Sequence, residues 1–175
     1  MALSGHGGEA PDETIVRLSG EQCRRRQEHE QRGPQSVRPR PLLDQRNLQF
    51  VPRVLAVEVG TVIDLPNNDR VFHNVFSFRD GKRFDLGLYP TGAKKQVVFD
   101  RPGVSRVFCN IHPQMAAYVV TVDSPYFGVS DERGAFTLQD VPAGKYEYRA
   151  WRAGGSPLSG STVIEPGKRF DVGWP

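Results

Sequence analysis

The sequence predicts an all-β protein, built as an antiparallel β-sandwich or barrel, and two observations support this fold class. From Leu48 onward, short runs rich in β-branched and aromatic residues follow one another, a composition that favours strands. Segments with turn chemistry separate these runs, among them PNND, DGK, RPG, DERG and PAG. No window of ten residues in this region has sustained helical periodicity. Regularly spaced short strands of this kind are typical of a sandwich or a barrel.

The composition of the sequence changes at two positions, which predicts three segments. Residues 1–43 are polar and charged, and we expect a flexible arm with at most one short strand, Thr14–Leu18. Residues 44–124 form the main β domain, and residues 125–175 add further strands as a C-terminal extension. The runs that predict strands are, in chain order, VLAVEVG, TVIDLP, VFHNVFSF, RFDLGLY, KQVVFD, VSRVFC, AYVVTVD, GAFTLQDV, KYEYRAW and STVIE.

Composition argues against several classes of protein. The 23 basic and 20 acidic residues among 175 leave a formal charge of +3, without a basic block, so we expect no nucleic-acid partner. No apolar run approaches the roughly 18 residues of a membrane span. The two cysteines, Cys23 and Cys109, imply no disulfide framework, and Cys23 is expected to be a free thiol. The first residues lack the basic and apolar regions of a secretory signal.

The segment FCNIHPQM carries the most informative chemistry. It places Cys109, His112 and Met115 three residues apart, directly after a predicted strand. A strand elsewhere in the sandwich, VFHNVFSF, supplies His73 as a fourth donor. Two imidazoles and a thiolate with a weak thioether suit a copper ion that alternates between Cu(I) and Cu(II). The four side chains therefore predict a copper site.

Other interpretations of the same residues stay open at this stage. Taken singly, His73 is a structural or surface histidine, Cys109 a small buried hydrophobe and Met115 core filler. Zinc also accepts cysteine and histidine, and would take Asp69, Asp80 or water as its fourth ligand. The coincidence of the three donors at regular spacing favours copper.

The sequence contains none of the motifs of a hydrolase, a nucleotide-binding loop or a zinc protease, so we expect no enzyme. The aspartates between residues 64 and 85 are explained by turns and solvation. The aromatic residues of the tail fit either a ligand platform or core packing, and packing is favoured. These are Tyr126, Phe127, Tyr146, Tyr148 and Trp151.

The segment FCNIHPQM resembles the ligand loop of cupredoxins, the small blue-copper proteins, and its short C-x-x-H-x-x-M spacing is most similar to that of amicyanin. Motifs from Asp44 to Trp151, including LPNND, HNVFSF, FDLGLY and VVFDRPGV, resemble bacterial plastocyanin-like proteins often labelled methylamine-utilisation proteins. In the tail, the pattern G-x-F-x-L-x-x-V-P-x-G-x-Y is similar to the carboxypeptidase-regulatory, or transthyretin-like, β-module. Arg53 stands where these relatives often have histidine.

The resemblance implies a Greek-key, cupredoxin-like sandwich with one copper ion bound by His73, Cys109, His112 and Met115. It also implies that the backbone of Asn74 donates to the cysteine sulfur and that His112 is the exit for the electron. The implied function is type 1 copper electron transfer with a redox protein, such as a c-type cytochrome or a dehydrogenase, in the periplasm. Copper trafficking and a β-sandwich module that binds no metal are the alternatives.

Overall fold

The structure is a computed structural model, and it describes residues 13–32, 39–78, 80–167 and 170–172. The predicted arm is therefore described at residues 13–32 and 39–43, while its residues 1–12 and 33–38 lie outside the described part. The elements are, in chain order, β1 (Ile15–Ser19), α1 (Glu21–Arg32), β2 (Asp44–Arg46), β3 (Gln49–Val51), β4 (Val54–Glu58), β5 (Thr61–Pro66), β6 (His73–Ser77), β7 (Phe84–Tyr89), β8 (Lys94–Phe99), β9 (Gly103–Phe108), β10 (Ala116–Val122), β11 (Phe127–Val129), β12 (Gly144–Trp151) and β13 (Leu158–Ile164). The predicted all-β class is confirmed.

The chain divides into two compact units, Val37–Asp123 and a unit that combines Met1–Ser36 with Ser124–Pro175. In the first of these, a five-stranded sheet has the order β4-β10-β9-β6-β7, and β5 pairs with β8 in a separate antiparallel ladder. Within the larger sheet β4 runs parallel to β10, whereas the other pairs are antiparallel. No helix in the described ranges has the length and apolar character needed to cross a membrane.

A single core joins the two layers of the unit 37–123. Strands β5 and β8 contribute buried Ile63, Leu65, Val97 and Phe99, and the larger sheet contributes buried Val75, Val107 and Val119. Alternation along the strands produces this core: on β9, Ser105 and Val107 are buried while Arg106 between them is exposed. The two inner faces thus enclose one hydrophobic layer, as the predicted sandwich requires.

A tight hairpin precedes the sandwich strands. Strands β2 and β3 pair antiparallel, and the turn between them consists of Asn47 and Leu48 with φ values of 54° and 56°. Two positive φ values are typical of the type I′ turn, whose twist matches that of paired strands. The left-handed conformation is unfavourable for Leu48, because its Cβ approaches the following carbonyl oxygen.

The second unit contains a four-stranded sheet in the order β11-β1-β12-β13. Strand β1 lies inside this sheet, with Val16 and Leu18 fully buried, and helix α1 buries Cys23 in the same core. The short strand expected at Thr14–Leu18 is present as β1, whereas helix α1 stands in contrast to the flexible arm we expected. The physical reason is that the alternating IVRLS segment pairs on both sides, while EQCRRRQEHEQR consists mainly of good helix formers.

Candidate metal centre

Two adjacent strands bring His73 and Cys109 together. His73 is the first residue of β6, and Cys109 directly follows the last residue of β9. These strands are antiparallel neighbours, with Phe76 opposite Phe108. Both side chains are directed into the protein: His73 is 0% exposed and Cys109 is 3% exposed. The Sγ atom of Cys109 lies 3.7 Å from Nδ1 of His73.

The loop that follows Cys109 brings the His112 side chain close to both His73 and Cys109. The Met115 amide donates to the His112 carbonyl at 2.9 Å, and the Cys109 amide donates to the Met115 carbonyl at 3.4 Å. This closed loop places Nδ1 of His112 3.6 Å from Sγ of Cys109 and 3.0 Å from Nδ1 of His73. Pro113 follows His112, and its ring fixes one backbone angle of the loop.

These three donor atoms have the spacing of a metal site. A point equidistant from atoms with these separations lies about 2.0 Å from each, which matches a metal–imidazole bond and is slightly short for a metal–thiolate bond. The imidazole rings meet edge to face, with centroids 4.8 Å apart and planes 65° apart, so that their Nδ1 edges converge. In the described part of the chain, His73, Cys109 and His112 form a group of side chains that could hold a metal ion, a candidate metal-binding cluster.

The hydrogen bonding of His73 supports a cation at this point. Its other ring nitrogen, Nε2, lies 3.2 Å from Oδ2 of Asp69. An ionised carboxylate only accepts hydrogen bonds, so Nε2 carries the hydrogen and neutral His73 presents an Nδ1 lone pair to Cys109 and His112. A metal ion bound there would satisfy the lone pair and the thiolate together. The donor set thus fits copper, which accepts imidazole and soft sulfur ligands.

Met115 lies at the end of the same loop. It is 1% exposed and packs in the hydrophobic core cluster that includes Cys109. The backbone bonds of Met115 to His112 and Cys109 fix where its side chain begins. Its role as an axial ligand stays a prediction.

Burial shifts the pKa values of His73 and Asp69, and their hydrogen bonds oppose these shifts. Burial lowers the pKa of His73, and the nearby His112 acts in the same direction, while the hydrogen bond to Asp69 partly opposes both. Burial alone would raise the pKa of Asp69, but hydrogen bonds from Leu48, His73 and Arg70 hold it below its usual value. Neutral histidine and ionised aspartate are the forms that bind a metal and support its ligand.

The sequence predicts that Asp69 either forms a turn or serves as the fourth ligand of a zinc ion. The structure places its carboxylate at Nε2 of His73, whereas Nδ1 faces Cys109 and His112. It therefore lies against the opposite ring nitrogen from the metal-binding cluster, which disfavours the zinc interpretation that uses Asp69. The contact depends on a loop conformation, and no sequence periodicity indicates it.

Asn74 makes its described hydrogen bond through the side chain. Its Nδ2 donates to Oδ1 of Asp85 on the neighbouring strand β7 at 2.7 Å. The backbone contact of Asn74 to the cysteine sulfur stays a prediction. Asp85, which the sequence assigned to turns and solvation, also accepts the Gly87 amide at 2.8 Å, as in a turn.

The aromatic residues of the tail lie mostly in the core of the second unit. Tyr126 and Tyr146 are buried, and their ring centroids are 6.3 Å apart. The ring centroids of Tyr148 and Phe170 are 5.1 Å apart. These contacts favour packing over a ligand platform. Cys23 is free and buried in this core.

No protein-family model matches the chain, and no curated protein matches it. Among solved structures, a purple cupredoxin from Nitrosopumilus maritimus is 26% identical, with a TM-score of 0.43, over 47% of this chain and 99% of that chain. The copper-containing nitrite reductase of Thermus scotoductus is 22% identical, with a TM-score of 0.46, over 51% of this chain and 24% of that chain. A variant of amicyanin in its Cu(I) form is 18% identical, with a TM-score of 0.46, over 50% of this chain and 87% of that chain.

Proposed function

We propose that this protein is a one-electron carrier of the cupredoxin type, with a single copper ion held by His73, Cys109 and His112. The observation that supports it most directly is the convergence of one sulfur and two Nδ1 atoms within 3.0–3.7 Å of one another. Copper bound to a thiolate and two imidazoles alternates between Cu(I) and Cu(II), which is the chemistry of one-electron transfer.

The residues of the site have different tasks in this proposal. Cys109 supplies the thiolate, and the fully buried His73 supplies an imidazole whose position is fixed by β6. His112 is only partly buried, so its ring edge connects the site to the surface and is the proposed exit for the electron. Met115 is proposed as the weak axial ligand. Because the strands and the closed loop place the donors in advance, little rearrangement accompanies a change of charge.

A copper carrier also needs a redox partner and a cellular compartment. We propose type 1, or blue, copper and a redox protein as partner, such as a c-type cytochrome or a dehydrogenase, with the periplasm as the compartment. The proposal includes no enzymatic step. The unit that contains residues 124–175 is proposed as a structural or binding appendage that resembles the carboxypeptidase-regulatory module.

A visible absorption spectrum and an EPR spectrum of the copper-loaded full chain test the proposal. We expect an intense blue colour from thiolate-to-Cu(II) charge transfer, with one copper per chain. Cys109→Ser should abolish the colour, whereas Cys23→Ser, which changes the other cysteine in the second unit, should preserve it. Tightly bound but colourless Cu(II) in the wild type would contradict the proposal.

Cyclic voltammetry distinguishes electron transfer from copper trafficking. A carrier is expected to give a reversible one-electron wave, because the same donors hold both charge states. A rapidly exchanging site that releases Cu(I) to a chelator and gives no reversible wave would favour trafficking instead.

A further inference from the structure

We propose that Asp69 is a positioning residue for the metal site, acting through His73 on the copper affinity and the reduction potential. The effect of Asp69 on copper affinity and reduction potential rests on the proposed copper function. Its effect on the tautomer of the His73 ring concerns the metal-free protein and does not depend on that function. Asp69 itself lies outside the metal-binding cluster.

The His73 ring lies between the Asp69 carboxylate and the candidate metal donors. Oδ2 of Asp69 lies 3.2 Å from Nε2, and Nδ1 on the other side lies 3.7 Å from Cys109 Sγ. A carboxylate at Nε2 selects the tautomer with its hydrogen on that nitrogen. The Nδ1 lone pair is then directed at the cluster before any ion is present. Carboxylate partners of this kind orient histidine ligands and increase their basicity.

Asp69 is itself held in place by hydrogen bonds to both its side chain and its backbone. Its Oδ2 also accepts the Leu48 amide at 2.7 Å, and its own amide donates to Oδ1 of Asn67 at 3.0 Å. Asn67 is fully buried and donates from Nδ2 to the carbonyls of Val71, at 2.8 Å, and Tyr89, at 3.2 Å.

Through Tyr89, this network of hydrogen bonds reaches the strand that pairs with His73. Tyr89 is the strand partner of His73 in the pairing of β6 with β7. The backbone of Asp69 is therefore held by the buried side chain of Asn67, which also donates to the carbonyl of Tyr89, directly opposite His73 in the strand pairing.

The hairpin turn at Asn47 and Leu48 supplies one of these hydrogen bonds. Leu48 has a left-handed φ of 56°, which is unfavourable for a residue with a branched side chain, and its amide donates to the oxygen that also contacts His73. Strained backbone persists where surrounding interactions determine it. The turn thus presents a donor that fixes Oδ2 of Asp69 at the ring.

The charge of Asp69 has a predictable effect on the redox couple. A negative charge at the outer edge of a ligand stabilises Cu(II) more than Cu(I), because the attraction grows with the charge of the ion. Removal of the carboxylate should therefore weaken Cu(II) binding more than Cu(I) binding, and the reduction potential should rise.

The first test needs no copper. Long-range ¹⁵N–¹H NMR of the metal-free full chain identifies which nitrogen of His73 carries the hydrogen. We expect the Nε2–H form alone in the wild type and a mixture of both tautomers in Asp69→Ala. Asp64→Ala is the matched control, since Asp64 is a 9%-exposed carboxylate of the same unit bonded to Lys94 and Gln96. It should leave the His73 signals unchanged.

The second test uses the copper-loaded protein. In Asp69→Ala the affinity for Cu(II) should fall about 10- to 100-fold, with a smaller loss for Cu(I). Each tenfold difference between the two losses corresponds to about 59 mV of upward shift in the potential. Asp69→Asn retains an oxygen for the Leu48 amide and removes the charge, so it keeps the test valid if the alanine variant does not fold. Its potential should also rise.

The outcomes separate the two proposals. If the tautomer of His73 changes but the wild type binds no copper, the copper function fails and the positioning role of Asp69 stands. If the wild type is blue, but neither variant alters the tautomer, the Cu(II) affinity or the potential, the positioning role is overturned and the copper function stands.

Discussion

Asn74 donates a hydrogen bond from its side chain to Asp85, 2.7 Å away on the neighbouring strand. Asn74 directly follows His73 and is 2% exposed, and the pairing of β6 with β7 shifts register just beyond it. The same oxygen of Asp85 accepts the Gly87 amide. This contact fixes the strand next to a proposed metal ligand at a point where the regular ladder of hydrogen bonds is interrupted.

Asp85→Ala is therefore expected to destabilise the unit 37–123 by about 1–3 kcal/mol, because it leaves the buried Nδ2 of Asn74 without its acceptor. The unfolding of this unit can be followed through the NMR amide signals of β6 and β7 during urea titration. Asp100→Ala removes a half-exposed carboxylate whose partners are the side chains of Lys82 and Arg101, and should have little effect. Equal losses of unfolding free energy in the two variants would show that the hydrogen bond between Asn74 and Asp85 does not stabilise this unit.

Met115 allows packing and ligation to be separated. Met115→Leu conserves side-chain volume and should cost less than about 1.5 kcal/mol of stability, whereas Met115→Ala should cost about 2–5 kcal/mol. If the thioether is the axial ligand, the leucine variant will shift the visible spectrum and the potential while its unfolding free energy remains close to that of the wild type. A leucine variant with the wild-type spectrum would show that Met115 serves only the core.

The metal-free protein should lose stability as the pH falls through the usual range of histidine. The pKa of His73 is lowered from 6.5 in the folded state, so the unfolded chain binds this proton more readily. Stability is therefore retained above about pH 6.5 and decreases below it, until the lowered pKa of the folded state is reached. Urea midpoints measured between pH 7.5 and 5 will test this.

His73→Gln is the control for the pH dependence, because it removes the titrating ring. The decrease below pH 6.5 should become smaller in this variant. An unchanged decrease would assign the loss of stability to groups other than His73.

Leu18 tests the role of the N-terminal strand. It is 0% exposed in β1, which pairs with both β11 and β12. Leu18→Ala should destabilise the second unit by about 2–5 kcal/mol, and the fluorescence of Trp151, opposite Ile15 in the pairing, provides a signal for its unfolding. Copper affinity should not change, since all the proposed donors lie within 37–123.

Val163→Ala is the matched control for Leu18. Val163 lies in the same sheet but is 57% exposed, so the substitution should cost well under 1 kcal/mol. Similar losses of unfolding free energy in Leu18→Ala and Val163→Ala would contradict a buried, structural role for β1.

The sequence by itself determined the strand content and predicted which residues are the candidate metal donors. Alternation and turn residues are local signals, so segments such as the one that forms β9 were predictable, and so was the loop from Cys109 to Met115. Helix α1 was missed because only Cys23 in its first turns is buried in the core, and a polar helix has no apolar stripe to indicate it.

Only the tertiary structure decided how distant segments combine. The pairing of β6 with β9 brings His73 to Cys109 across 36 residues, and β1 enters a sheet whose other strands begin more than a hundred residues later. Asp69 reaches His73 because a turn from a different hairpin holds its carboxylate. Contacts of this kind depend on strand order and loop conformation, which a single sequence encodes only through the energy of the complete fold.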